Sequence, residues 1–410
     1  MHLFSKASVR AVTAIVFVSI GIVSAQFSTG TPANARLDAL ANEHISDISG
    51  IYRYPVLMTG YLNHIQATWN GGGAGGFIGI KSVSDMFSFG VLANQGPMAP
   101  EFTGAAIGAL DTYLTTAPPA GNKFDNSSFV IPHLLLGFDL GAAAICADLF
   151  LEYGGYGGEV DDTTKYSGSL SNPGFRVSGK FGVSEAEIMA KFGLGFPSIS
   201  GERPRTAAPP KLTSNDGLYM EAGAEANMPL GGADWVLGLC YTKADYRFKY
   251  NDTTYINNLM TNSRLNAYLG MEFNFVETAV AALGYSFDRR ALINSQPNLN
   301  GKPSSTEINY YHRLYAGVEN AWEKAWLFDS FQLRGGALYT ISSRSGDTDA
   351  PSPAQKPNYS MPAGHSTVQP RIGVGVSRAF ATIDVSLNPG SWNGLFTGPE
   401  VAFVTATVKF

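Results

Sequence analysis

Between Arg264 and Phe275 the chain alternates strictly. Leu265, Ala267, Leu269, Met271, Phe273 and Phe275 are apolar, and Arg264, Asn266, Tyr268, Gly270, Glu272 and Asn274 are polar, small or amphipathic. A strand sends successive side chains to opposite faces, so the pattern predicts a ribbon with one oily and one wet face. Leu218–Met228 repeats it, with Tyr219, Glu221, Gly223, Glu225 and Asn227 on the wet side. The stretch Leu134–Leu151 holds Asp139, Gly141 and Asp148, and reads as two strands around a tight turn. In all, sixteen candidate strands run from Tyr61–Trp69 to Val401–Phe410, with fourteen as the alternative, and most have the length a tilted membrane strand needs.

The connections alternate as well. Short turns fall around Ser84, Gly141, Ser184, Gly231, Val276, Lys324 and Phe380. Longer loops are expected at Gln95–Ser128, Gly154–Gly174, Pro197–Gly217, Asn251–Ser263, Asp288–Glu307, Ser342–Thr367 and Pro389–Glu400. Short turns on one side and long loops on the other predict an all-β fold, an antiparallel transmembrane β-barrel of 14–16 strands with lipid outside and water inside.

The two ends agree with that reading. Lys6 and Arg10 precede the apolar run Ala11–Val23, and Val23-Ser24-Ala25 offers small side chains before a cut, so residues 1–25 read as a cleaved export signal. At the other end Ala402, Val404, Ala406, Val408 and Phe410 form an alternating set. A last amphipathic strand closing on Phe resembles the signal read by the bacterial barrel-assembly machinery, which makes that machinery an expected partner through Phe410. The expected location is the outer membrane of a Gram-negative-type bacterium, with outer-membrane lipid around residues 61–410.

Composition narrows the function. The chain carries a net charge of −5, and the signal contributes only bases, so the exported part is more acidic still; no nucleic-acid partner is expected. The six His show no zinc-ligand spacing, no nucleophile–base set stands out, and Gly71–Gly76 lacks the Lys-Ser/Thr of a phosphate loop. No metal, no cofactor and no enzymatic activity are expected. The strand phases put Cys146 inward and Cys240 outward, which argues against a disulfide. They also gather charge on the inner face. Asp148, Glu152, Glu187, Lys191, Glu221, Glu225, Lys243, Arg264, Glu272, Arg313, Glu319, Arg334, Arg371 and Asp384 are the expected lumen-lining residues along a solute path. On a lipid face each charge would cost a few kcal/mol near the midplane.

Residues 26–60 differ in texture. Asn34–Met58 has a weak helical pattern at Ala35, Leu37, Leu40 and Ala41 that Pro55 ends, and it is too apolar for a free tail. It is expected to be a periplasmic or plug segment, with Ala35, Leu37, Leu40, Asp47, Tyr52 and Pro55 as its contact residues. The runs Ala35–Leu40, Ile45–Ile48 and Ile51–Pro55 resemble the N-terminal segment of the long-chain fatty-acid transporter family. That family carries Asn-Pro-Ala where this chain has Tyr54-Pro55-Val56. The resemblance implies an N-terminal plug and passive uptake of a hydrophobic molecule captured by external loops, with Thr103–Leu114 as an amphipathic helix in one of them. The expected function is therefore passive passage of a small hydrophobic solute. A porin for small polar solutes and a non-transporting scaffold or secretion partner are the alternatives.

Overall fold

The computed structural model describes residues 35–41, 47–48, 50–70, 75–93, 128–130, 132–161, 164–202, 211–214, 217–250, 254–294, 305–325, 327–348, 365–388 and 400–410. The expected signal, the helix at 103–114, Trp326 and the Gly-rich 71–74 lie outside them. Two short helices come first, α1 (Ala35–Ala39) and α2 (Gly50–Arg53), followed by a 3-10 turn (Pro55–Gly60). Strands β1 (His64–Asn70), β2 (Gly75–Ser82), β3 (Phe87–Ala93) and β4 (Ser128–Val130 with Pro132–Asp139) follow. Next are β5 (Ala143–Asp161), β6 (Thr164–Val183), β7 (Ala186–Gly195 with Ser198–Glu202) and β8 (Lys211–Ser214 with Leu218–Leu230). Then come β9 (Ala233–Tyr250), β10 (Thr254–Val276), β11 (Ala279–Asn294) and β12 (Ser305–Glu323). The last are β13 (Ser330–Thr348), β14 (His365–Arg378), β15 (Ala381–Asn388) and β16 (Glu400–Lys409).

Each strand pairs antiparallel with the next, and β16 returns to β1 with Lys409 opposite His64 and Phe403 opposite Asn70. The result is a closed barrel of sixteen strands. Closure leaves no edge with unpaired N–H and C=O groups, which lipid could not satisfy. The tight turns fall where the sequence places them. Left-handed backbone at Ser184, Lys324 and Ala379, and at Gly141, Gly231 and Gly232, reverses the chain in few residues.

Burial is inverted relative to a water-soluble sheet. On β5, Leu149 is 50% exposed while its neighbours Asp148 and Phe150 are buried. On β4, Phe138 is exposed while His133, Leu135 and Gly137 are buried. Large apolar side chains thus cover the outer face, and ionisable ones fill the inner face. In water an exposed apolar belt of this kind would drive association; against acyl chains it is matched.

Two expectations are corrected. On β9 the exposed side chains are Leu237, Leu239 and Tyr241, so the odd positions face outward and the even ones inward. Cys240 therefore faces inward, opposite Asn266, and Lys243 lies on the outer face, opposite Ser263. Both cysteines are free. The Lys243–Asp245 pair gave the false phase: it sits past Tyr241, beyond the apolar stretch, and Lys243 Nζ bonds Asp245 Oδ2 at 2.7 Å. The second correction is length. Residues 154–161 and 164–174 continue β5 and β6 as a paired hairpin, with Gly158 opposite Tyr166. Among the described residues, four other expected loops are likewise partly strand, at 198–202 and 211–214, 254–263, 288–294 and 305–307, and 342–348 and 365–367.

Candidate functional site: the inner face of the barrel

The inner wall is not uniform. Across β2, β3 and β4 it presents Ile78, Ile80, Leu92 and Leu135, joined by Ala144 and Cys146 of β5 and Met189 of β7. Ile51, Tyr52, Tyr54, Val56 and Met58 of the N-terminal segment pack onto this apolar sector and complete a buried cluster. At about 25 cal/mol per Å² of buried apolar area, such side chains contribute about 1.5–3 kcal/mol each. The 3-10 turn starts at Pro55, whose missing N–H costs nothing at that position. Its Val56 N–H donates to Ser178 Oγ at 2.8 Å.

The other end of the segment reaches the wall of β12–β16. The Ala35 N–H donates to Thr405 Oγ1 at 2.9 Å. Arg36 Nε meets Glu319 Oε2 at 3.1 Å, and Arg371 Nε meets Asp38 Oδ1 at 3.0 Å. Gly317 and Gly336 make this approach possible. A Cβ at Gly317 would overlap the Leu40 carbonyl, and one at Gly336 would stand 2.6 Å from the Leu40 carbonyl carbon. Of the expected contact residues, Ala35, Leu37, Leu40, Tyr52 and Pro55 are buried, and Asp47 is half-buried with Arg36 Nη1 3.6 Å from its carboxylate. Burial disfavours the charged form of Arg36, but Glu319 and Asp47 outweigh it and hold its pKa above the ordinary value.

Between these two contacts runs a set of buried ion pairs. Arg176 of β6 is fully buried; its Nη2 donates to Asp148 Oδ2 at 2.6 Å and its Nη1 to the Tyr52 carbonyl at 2.9 Å. His133 Nδ1 lies 3.0 Å from Asp148 Oδ1. Lys191 pairs with Glu221, with its ammonium 5.2 Å above the Tyr54 ring. Glu225 binds Arg53 at 2.9 Å and accepts from the Tyr268 hydroxyl. Arg334 bridges Glu319 and Asp384, the latter at 2.5 Å. Each charge taken from water here is met by an opposite one, without which burial would be prohibitive.

The register places the remaining expected residues. Glu187 faces inward and pairs with Lys180 at 3.3 Å. Glu272 faces inward opposite Ala282, and Arg264 and Arg313 face inward around Asp288. The side chain of Glu152 lies outside the described residues. Arg176 falls on the inner face by the strand phase as well, whereas Asp288 and Arg290 lie in the expected loop Asp288–Glu307. The signal was there: Ala282, Gly284, Ser286, Asp288 and Arg290 keep one phase beyond the apolar part of β11.

An outer face of bare aliphatic side chains around an ion-paired interior, on a closed antiparallel cylinder, decides the class. The chain is a β-barrel of the outer-membrane type. No protein-family model matches the sequence, and no curated protein matches it. Among solved structures, this outer-membrane barrel is similar to CdiB from Escherichia coli, with TM-score 0.44 and 9% identity over 85% of this chain and 62% of that one. This chain therefore spans less than two thirds of that protein's length. The toluene transporter TodX of Pseudomonas putida is also similar, with TM-score 0.40 and 12% identity over 93% of this chain and 97% of that one. The likeness to CdiB from Acinetobacter baumannii has TM-score 0.41 and 8% identity over 85% of this chain and 59% of that one.

Proposed function

We propose that the barrel carries a small hydrophobic solute passively across the outer membrane, with residues 35–60 as a plug in the lumen. The observation that supports this most is the apolar sector Ile78–Ile80–Leu92–Leu135 on a face that polar channels keep wet. A solute could exchange with the apolar side chains of the plug along that sector. The ion pairs at Arg36, Asp38 and Arg53 tether the plug at several points of the wall. The barrel-assembly machinery would receive the chain through β16 and Phe410.

The test is deletion of residues 34–58 in protein reconstituted in planar bilayers. The full chain should show little conductance and the deleted one a steady open level. Equal conductance in both would reject the plug. Uptake of an apolar naphthylamine dye by cells with and without the protein tests the solute class. A large conductance from the full chain with no dye uptake would favour the reading as a porin for polar solutes, which the ion-paired remainder of the wall supports. Turnover of lipid or peptide by purified protein would contradict the non-enzymatic reading.

A further inference from the structure

At the short-turn end of the barrel, the wall from β12 round to β2 carries exposed cations just past the last apolar side chains of the outer face. Trp322 of β12 lies against Phe331 of β13, with ring centroids 5.7 Å apart, and Lys324 follows Trp322 by two residues. Val376 of β14 stands opposite Phe331, and Arg378 follows it by two. Ile78 and Ile80 of β2 are buried inward, so Lys81 is on the outer phase, with its ammonium 4.9 Å over the Phe410 ring. Backbone bonds tie these turns into one rim. The Lys324 N–H donates to the Asp329 carbonyl at 2.8 Å, Asp329 N–H to the Ser377 carbonyl at 2.9 Å, and Lys409 N–H to the Phe380 carbonyl at 2.8 Å.

Lys81, Lys324 and Arg378 are all exposed, and among the described residues none of them forms an ion pair. Two acids share this arc. Glu323 has the inner phase of β12, two residues past Ala321 and four past Glu319, and the Asp329 carboxylate accepts the Ala379 N–H. The rest of the short-turn rim has the opposite sign, with Asp85, Glu185, Asp234 and Glu277 exposed on it. Apolar side chains crowd the cationic arc: Leu327 is 74% exposed, Phe380 57% and Phe410 40%. Aromatic rings at the end of an apolar belt mark the membrane interface, and a cation one step beyond them reaches the level of lipid phosphates. A lipid with a net negative headgroup is attracted to this arc and repelled by the acidic remainder of the rim. A zwitterionic lipid gains little from either. At strand spacings of about 4.8 Å the arc runs for roughly 30 Å, enough for several headgroups.

We infer that the outer wall from β12 to β2 selects anionic phospholipid at its short-turn end through Lys81, Lys324 and Arg378. The inference rests on the placement of the barrel in a bilayer and not on what passes through its bore, so it holds if the apolar-solute reading fails.

The experiment reconstitutes the purified protein in phosphatidylcholine vesicles with a trace of spin-labelled phosphatidylglycerol. Electron spin resonance reads the fraction of label immobilised at the wall, with spin-labelled phosphatidylcholine as the reference. Phosphatidylglycerol should associate roughly threefold or more strongly at low salt, and the preference should shrink in 1 M salt, because exposed charges are screened there. The combined substitution Lys81→Gln, Lys324→Asn and Arg378→Gln should bring the two lipids level; Asn suits the φ of 54° at Lys324. Lys324→Asn with Arg378→Gln leaves the Lys81–Phe410 contact intact, supplies a second variant if the triple one fails to fold, and should remove part of the preference. Lys243→Gln, on the outer face beyond Tyr241 and paired with Asp245, should leave it unchanged. Equal association of the two lipids with the parent protein would overturn the inference and leave the arc to an acidic soluble partner. A preference that survives in every folded arc variant, or that Lys243→Gln removes equally, would overturn it as well.

Discussion

A single side chain, Asp148, shows how the inner face is held. It has no exposed surface and takes charge-assisted bonds from Arg176 while His133 flanks it. The pair offsets a desolvation cost that neither partner could meet alone. Asp148→Asn should therefore destabilise the barrel by about 3–5 kcal/mol, the range for breaking a buried pair and stranding its partner. A urea midpoint in lipid vesicles checks it; an unchanged midpoint would mean that the Tyr52 carbonyl and Glu221 suffice for Arg176. Outward positions obey the opposite rule. Leu239 is 51% exposed on the outer face, and Leu239→Arg should cost about 2–4 kcal/mol if it stands near the bilayer midplane. Lys243→Ala, four residues further on the same face, should change stability by less than about 1 kcal/mol, because its pair with Asp245 is partly solvated. Comparable losses at both positions would show that the apolar belt extends past Tyr241. These faces were legible where apolar residues set the phase. They were misread on β9, where a charged pair lies on the outside.

At the scale of an element, α1 has five residues, too few to hold a helix in water by its own hydrogen bonds. Its conformation depends on the wall, through Thr405, Glu319, Arg371 and the glycine floor at Gly317 and Gly336. Gly336→Val should displace α1 without disturbing strand pairing, since β-branched residues suit strands. The expected result is a folded barrel with raised conductance and faster proteolysis near residue 36. Unaltered conductance with an intact fold would separate α1 from any gating role. The helical tendency of residues 35–41 could be read from spacing alone. Its docking surface could not, because it consists of glycines on three strands, Gly317, Gly336 and Gly373, whose adjacency is set only by register. The β5–β6 extension was hidden for a related reason. Gly154-Gly155-Tyr156-Gly157-Gly158 has no alternation to signal a strand, and cross-strand pairing with residues 166–170 makes it one.

For the whole molecule the decisive event is the meeting of β1 and β16. Seven paired positions close the sheet, and the Phe410 N–H adds a bond to the Asn63 carbonyl while Lys81 sits 4.9 Å over its ring. Removing Phe410 should lower the yield of closed barrel, read as heat-sensitive migration on a gel, more than it lowers the stability of barrels already formed. Equal effects on both would assign the residue to packing alone. The amino-acid sequence by itself determined the class of fold and the two faces of most strands, and narrowed the strand count to fourteen or sixteen. Those follow from local chemistry, since alternation and turn residues act over a few positions. Only the tertiary structure decided which charges meet, that Asp288 gathers three arginines, and that one sector of the inner wall is oily. Such neighbours come from strands far apart in the chain, and their contact depends on the register and shear with which the cylinder closes.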